Sequence, residues 1–230
     1  MSSFIQTSAY AGVTVSILSY FLGTYLKKKF KFGFINPLLL SIVFTIIVLL
    51  VANIDYDTYN SGAQYLSWLL TPATICLAIP LYEQIQLLKK NYKAVIVGIT
   101  TGVITSLLAV LVLSALFDLT HKEYVTLLPK SITTAIGMDI SKEYQGYVSI
   151  TVAVIVITGV LGNILGEGIC KLFRIKEPIA KGLALGCSSH AIGTAKAMEM
   201  GQVEGAMSSL SIAVAGLLTV IFTSFFANII

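Results

Sequence analysis

Apolar runs long enough to cross a bilayer alternate with short polar connections along nearly the whole of this sequence. Residues 4–26 form an uncharged run of 23, followed at once by Lys27, Lys28, Lys29 and Lys31. At ~1.5 Å per residue such a run covers the roughly 30 Å hydrocarbon core. Further spans are predicted at 37–53, 65–88, 94–117, 147–171, 182–199 and 204–228. Two polar stretches interrupt the pattern, PKSITTAIGM at 129–138 and GCSSHAIGTAKAMEMG at 186–201. Ionisable groups at membrane depth are costly unless they face protein, water or a ligand, which singles out Lys130, His190 and Lys196.

The short 127–140 segment decides the topology. If it crosses, the connection with Lys171, Arg174, Lys176 and Lys181 falls opposite the Lys27–Lys31 connection, against the bias that keeps basic loops in the cytoplasm. If it dips in and returns, eleven of the 15 lysines and arginines share one side, and the acidic connections at Asp55, Asp57, Asp118 and Glu123 lie outside. The expectation is therefore an all-α membrane protein of seven crossings plus a re-entrant or half-helix. The N-terminus is expected outside and the C-terminus in the cytoplasm. A single integral membrane domain divides into an N-terminal helix and basic loop (1–35), a first repeat (36–118), the re-entrant segment (119–145) and a second, inverted repeat (146–230).

Composition agrees with this class and excludes others. Hydrophobic residues make up 56% and charged residues 11%, against about 25% charged in soluble domains; mean hydropathy is +0.88. The lysines after residue 26, with no cationic stretch before residue 4, point to a retained helix rather than a cleaved signal peptide. The net charge of +4 sits in short loops without aromatic interleaving, so membrane topology explains it better than nucleic acid does. Three cysteines and two histidines in no ligand spacing predict neither a disulfide framework nor a metal site, and no cofactor is expected. No phosphate loop or nucleophile elbow is present. The glycines at 159, 162, 166 and 168 lie in apolar helix, where Gly162 and Gly166 form a GxxxG face for packing within the chain or in a homo-oligomer.

The middle helix of each inverted triplet is interrupted. TPATICLAIPLY carries Pro72 and Pro80, and GLALGCSSHAIGTAKAME carries Gly182, Gly186 and Gly193 around Ser-Ser-His. Interrupted helices at matching positions of two halves point to a transporter's midplane site. A helix that begins inside the bilayer leaves peptide N–H groups unpaired and about half a positive charge at that end, which attracts anions. The candidate substrate-binding set is Thr71, Pro72, Thr74, Lys130, Ser131, Thr133, Thr134, Ser188, Ser189, His190 and Thr194. The inferred ligand is a small organic anion such as a carboxylate.

Through TPATICLAIPLY, PKSITTAIGM, VITGVLGNILG and SHAIGTAKAMEMGQVEGAMSSL, in that set and order, the chain resembles the LrgB/CidB family of bacterial membrane proteins. The resemblance covers most of the sequence from about residue 35. It implies a plasma-membrane protein working beside a small holin-like partner of the LrgA/CidA type. It also implies either passage of monocarboxylates such as pyruvate, glycolate or glycerate, or antiholin-like control of murein hydrolases and autolysis.

Each chosen residue also has a plainer reading. Lys130 can snorkel to the interface, and His190 can be a hydrogen-bonded packing residue. Lys196 can pair with Glu199, and Glu167 with Lys171 in the favourable order. The prolines can simply kink a helix. An enzyme using Ser188 or Ser189 with His190 is disfavoured, because a hydroxyl adjacent in sequence to its base rarely reaches the required geometry.

Overall fold

The computed structural model describes residues 10–30, 37–69, 72, 75–76 and 78–230, and among them the regular secondary structure is entirely helical. The chain forms two compact units, Met1–Cys76 and Leu77–Ile230.

In the first unit, α1 (Ala11–Phe30) and α2 (Pro37–Ala52) pack as antiparallel neighbours, and α3 (Tyr56–Trp68) lies against the early turns of α1. Small residues make the approach possible: Gly12 faces the backbone of Tyr59 and Ala63, and Ser16 Oγ shares a 2.7 Å hydrogen bond with Tyr59 Oη. Asp55 caps α3 by accepting the Thr58 N–H at 2.7 Å. That bond and the Thr58 hydroxyl hold the Asp55 carboxyl below its ordinary range. The expected 65–88 span is not one continuous helix. Helix α3 ends at Trp68, and in the second unit a short α4 (Ala78–Glu83) precedes α5 (Ile85–Leu116). Thr71 and Thr74 lie outside the described residues; Pro72 is helical and exposed.

In the second unit α5, α8 (Val148–Leu172) and α10 (Gln202–Phe226) are long and apolar enough to cross a membrane. Helix α5 bends at Asn91, whose backbone leaves the helical region (φ −113°, ψ 16°) and whose side-chain amide donates to Leu87 O at 3.0 Å. The break expected between the 65–88 and 94–117 spans is present here, as a kink where two helical segments meet. Val95, Ile99, Val103, Leu107 and Val110 recur on one face of α5 and join the buried core with Tyr124, Leu183, Met207 and Ala215.

Between the crossing helices the chain twice enters and returns. The first hairpin is α6 (His121–Leu127), a turn at 128–133, and α7 (Thr134–Glu143). Its two arms meet the start of α8: Thr126 Oγ1 accepts the Tyr147 N–H at 2.8 Å, and Thr151 Oγ1 donates to Ser141 Oγ at 2.7 Å. Thr120 and Glu123 form a reciprocal capping box on α6. The Thr120 hydroxyl and then its N–H hold the Glu123 carboxyl below its usual value. The segment expected to be re-entrant thus runs out and back beside the start of α8.

The second hairpin differs from expectation. Helix α9 (Pro178–Met200) breaks at Ser189 (φ −137°, ψ 15°) and His190 (φ 41°, ψ −138°) and reverses. A Cβ on Gly193 would stand 2.8 Å from Leu185 O, whereas residues eight apart in a straight helix are separated by about 12 Å. Gly182 and Met198 likewise lie against the same early turns of α10, at Met207 and Gly205 respectively. Residues 182–199, expected as a crossing, therefore leave by the end they entered. The reversal at Ser189 and His190 leaves two arms of about ten residues, each rising ~15 Å, half a bilayer. Helix α10 then runs the whole way, so that Tyr124 Oη donates to Phe226 O at 2.8 Å and His121 bonds Ile230 O. Ile230 thus lies at the end of this unit away from the Lys171–Lys181 connection. The sequence had predicted the same side.

Candidate functional site

The two hairpins enter from opposite ends of α8 and converge on its middle. Ile155 shows this directly. Its side chain fills the space over Gly137 of the first hairpin, while its carbonyl accepts a 3.0 Å hydrogen bond from His190 Nε2 at the turn of the second. Because a carbonyl only accepts, Nε2 carries the proton. Two turns further on, Gly162 leaves room for Ser189. Ile155 and Gly162 are seven and fourteen residues into the 25-residue helix, so the convergence lies at roughly 10–20 Å of its ~37 Å length.

The first arm of the second hairpin runs parallel to α5, with Leu183 facing Gly98 and Cys187 facing Gly102. Beyond Cys187 the turn of the first hairpin closes the space, and a cavity of about 840 Å³ opens between these three elements. Its polar groups are Lys130, Ser131, Ser188, Thr101, Thr105 and Ser106, with Asn91 and Glu177 toward its far end. Lys130 Nζ donates to Ser131 Oγ at 3.0 Å, and Ser131 Oγ lies 3.0 Å from Ser106 Oγ. The ammonium thus heads a chain of hydroxyls. No carboxylate stands within ion-pair distance of Lys130 among the described residues. Apolar walls from Ala94, Ala109, Ala184 and Leu183 complete the cavity. A single cation among hydroxyls and small apolar residues provides charge balance and hydrogen bonds for one small anion, in the size range of ordinary ligand pockets.

The structure brings Lys130, Ser131 and Ser188 together and directs other candidates elsewhere. Ser188 Oγ and Ser189 Oγ share a 2.9 Å hydrogen bond across the turn, but Ser189 is buried against α8. His190 is buried on the same side. Thr194 Oγ1 donates to His190 O at 2.9 Å and lies 2.7 Å from Ser208 Oγ, fastening the returning arm to α10. Thr133 is the N-cap of α7 and Thr134 its first residue, so the first turn of that arm starts beside the Lys130 turn. The N–H groups of that first turn, with no side-chain cap, add partial positive charge beside Lys130. The α5 residues Thr101, Thr105 and Ser106 were missed in the sequence. Their signal was the run of small and polar residues at helical spacing from Ala94 to Ala109 within an apolar span.

Two pairings also become one network. Glu167 binds Lys171 at 2.8 Å and Lys196 at 2.9 Å, while Lys196 also reaches Glu199 at 3.4 Å. The sequence pairs are present, and Glu167–Lys196 joins them across the base of the second hairpin. The GxxxG face is filled within the chain, by Ser189 at Gly162 and Leu185 at Gly166.

The model of the LrgB-like family matches residues 16–229 of this sequence. The chain belongs to that family. The antiholin-like protein LrgB of Bacillus cereus (strain B4264) is 39% identical over 218 residues, covering 94% of this chain and 95% of the relative. The antiholin-like protein LrgB of Bacillus anthracis (strain A0248) is similar to the same extent. No solved structure matches. In this LrgB-family chain three of the motifs that carried the resemblance fall on the two hairpins and the α8 surface that receives the second: PKSITTAIGM, VITGVLGNILG and SHAIGTAKAMEMGQVEGAMSSL, the last running on into α10.

Proposed function

We propose that this chain is a membrane transporter or facilitator for small organic anions, monocarboxylates such as pyruvate, glycolate or glycerate, bound in the Lys130 cavity. The observation that carries the reading is the delivery of Lys130 by a re-entrant turn into a mid-depth cavity shared with Ser131 and Ser188. An ammonium at that depth is costly unless a ligand, water or protein meets it. Hairpins that enter from opposite ends support an inverted organisation: each repeat is a re-entrant hairpin followed by a crossing helix, α6–α7–α8 and α9–α10. This replaces the triplets of three crossings expected from hydropathy. Binding at the meeting point of two such repeats fits alternating exposure of one site.

The reading places the protein in the bacterial plasma membrane with the Lys171–Lys181 connection in the cytoplasm. Ile230 is then outside, as the N-terminus is by the charge of residues 27–31. The test is uptake of a labelled carboxylate panel into proteoliposomes. Pyruvate, glycolate or glycerate enters, and Lys130→Met abolishes entry; absence of uptake both with and without a holin-like partner overturns the reading.

A second reading is favoured by the name that the relatives carry, antiholin-like protein. Here the chain controls a holin-like partner of the LrgA/CidA type, and through it autolysis. Deletion that changes autolysis while purified protein moves no carboxylate selects this reading over the first.

A further inference from the structure

A second cavity, of about 540 Å³, lies at the base of the second hairpin, on the end of the unit opposite Ile230 and apart from the Lys130 cavity. Five cations line it: Lys171 at the end of α8, Arg174 and Lys176 in the following connection, Lys181 on the entering arm and Lys196 on the returning arm. Three carboxylates share the lining. Glu167 already holds both Lys171 and Lys196, and Glu199 reaches Lys196. Glu204 is buried in the first turn of α10, with its carboxylate against Gly201. Arg174, Lys176 and Lys181 have no carboxylate within 4 Å among the described residues. The surplus of five cations over three carboxylates is two positive charges.

The connection that presents these groups is built rather than loose. After α8 the chain closes with Phe173 N–H on Ile169 O at 3.0 Å and Ile175 N–H on Cys170 O at 2.8 Å. Arg174 sits between them in the left-handed region, at φ 56°. The backbone that carries this side chain is thus a fixed turn, and a guanidinium can meet two oxygens of a tetrahedral anion at once.

We infer that this cavity is a binding site for a phosphate monoester, held by Arg174, Lys176 and Lys181, which links the entering arm of the hairpin to the connection after α8. A phosphate monoester carries close to two negative charges at neutral pH, matching the surplus. The same chemistry comes from a soluble metabolite or from the headgroup of an anionic lipid, since the cavity opens at the end of a membrane-crossing helix. The inference is independent of the transport reading.

The test uses the purified full chain and its thermal unfolding. One arm titrates glycerol 3-phosphate in neutral detergent, and the other compares phosphatidylcholine nanodiscs with and without phosphatidic acid. A ligand that binds only the folded protein raises its unfolding temperature saturably. At least one probe is expected to do so. Arg174→Gln with Lys181→Gln should weaken half-saturation by about tenfold or more. Lys89→Gln with Lys93→Gln, charges outside the cavity, should leave it unchanged. A response to glycerol 3-phosphate assigns a soluble ester, and a response to phosphatidic acid alone assigns a lipid headgroup. If the double variant does not fold, Lys176→Gln reads the same effect on a smaller scale. No saturable response to either probe, or equal responses in the cavity and control variants, overturns the inference.

Discussion

Replacing Gly162 with alanine tests whether the turn of the second hairpin rests on the middle of α8. A Cβ at Gly162 would overlap both Oγ and Cβ of Ser189. Rotating the serine clears Oγ but not Cβ, so relief requires the turn itself to move. Overpacking of this kind costs about 1–3 kcal/mol, and the fixed position of Ser189 Cβ places this site toward the upper end. Helix propensity returns at most ~1 kcal/mol for Gly→Ala, leaving a net loss of about 2 kcal/mol. Gly168, on the same helix, has nothing within 4 Å of its would-be Cβ, so Gly168→Ala should be neutral or stabilising by up to ~1 kcal/mol. Unfolding free energies measured by denaturant titration in mixed micelles should therefore separate the two variants by about 3 kcal/mol. Adding Ser189→Gly to Gly162→Ala should recover most of the loss, as coupled neighbours do in a double-mutant cycle. Equal stabilities for Gly162→Ala and Gly168→Ala would refute the hairpin geometry.

Other outcomes follow from the same contacts. Lys130→Met should reduce carboxylate uptake to background, while Lys130→Arg retains part of it by keeping the charge; uptake unchanged in Lys130→Met contradicts the site. Glu167→Gln frees Lys171 and Lys196 together. These groups are partly to largely exposed, so the loss should be no more than about 1 kcal/mol and should shrink in high salt; the same micelle titration reads it. The Glu123 carboxyl titrates below its unfolded value because of Thr120. Its contribution is therefore present above the unfolded pKa and is lost as pH falls through the lowered folded value. Hydrogen exchange in α6, corrected for its intrinsic rate, should accelerate over that acid range in the parent chain, and Thr120→Val, which keeps only the backbone N–H bond to Glu123, should reduce this pH dependence.

Much of this fold was legible because hydropathy reports whether a segment prefers lipid. It identified the three crossing helices of the second unit and the polar 127–140 segment as a place where the chain returns. Hydropathy cannot report the angle of a break. A helix that pauses at Ser-Ser-His and continues has the same composition as one that reverses there. The difference lies in the backbone of Ser189 and His190 alone. Gly182, Gly186 and Gly193 looked like break points and are contact points instead, letting the arms lie against α10 and each other. Their clearest signal was the matching small residues after Gly201, from Gly205 through Ser211. The site divides similarly. Lys130 stood out by its charge, whereas Thr101, Thr105 and Ser106 are common in membrane helices and gain meaning only from facing the same cavity.

The central claim, that the Lys130 cavity binds a small organic anion, is tested most directly by ligand protection at its wall. In a chain with Cys76, Cys170 and Cys187 replaced by serine, Ser188→Cys presents one thiol on the cavity. Modification by a charged thiol reagent should be slowed several-fold by saturating pyruvate or glycolate, and Lys130→Met should abolish that protection. Labelling at the same rate with and without carboxylate would contradict the account.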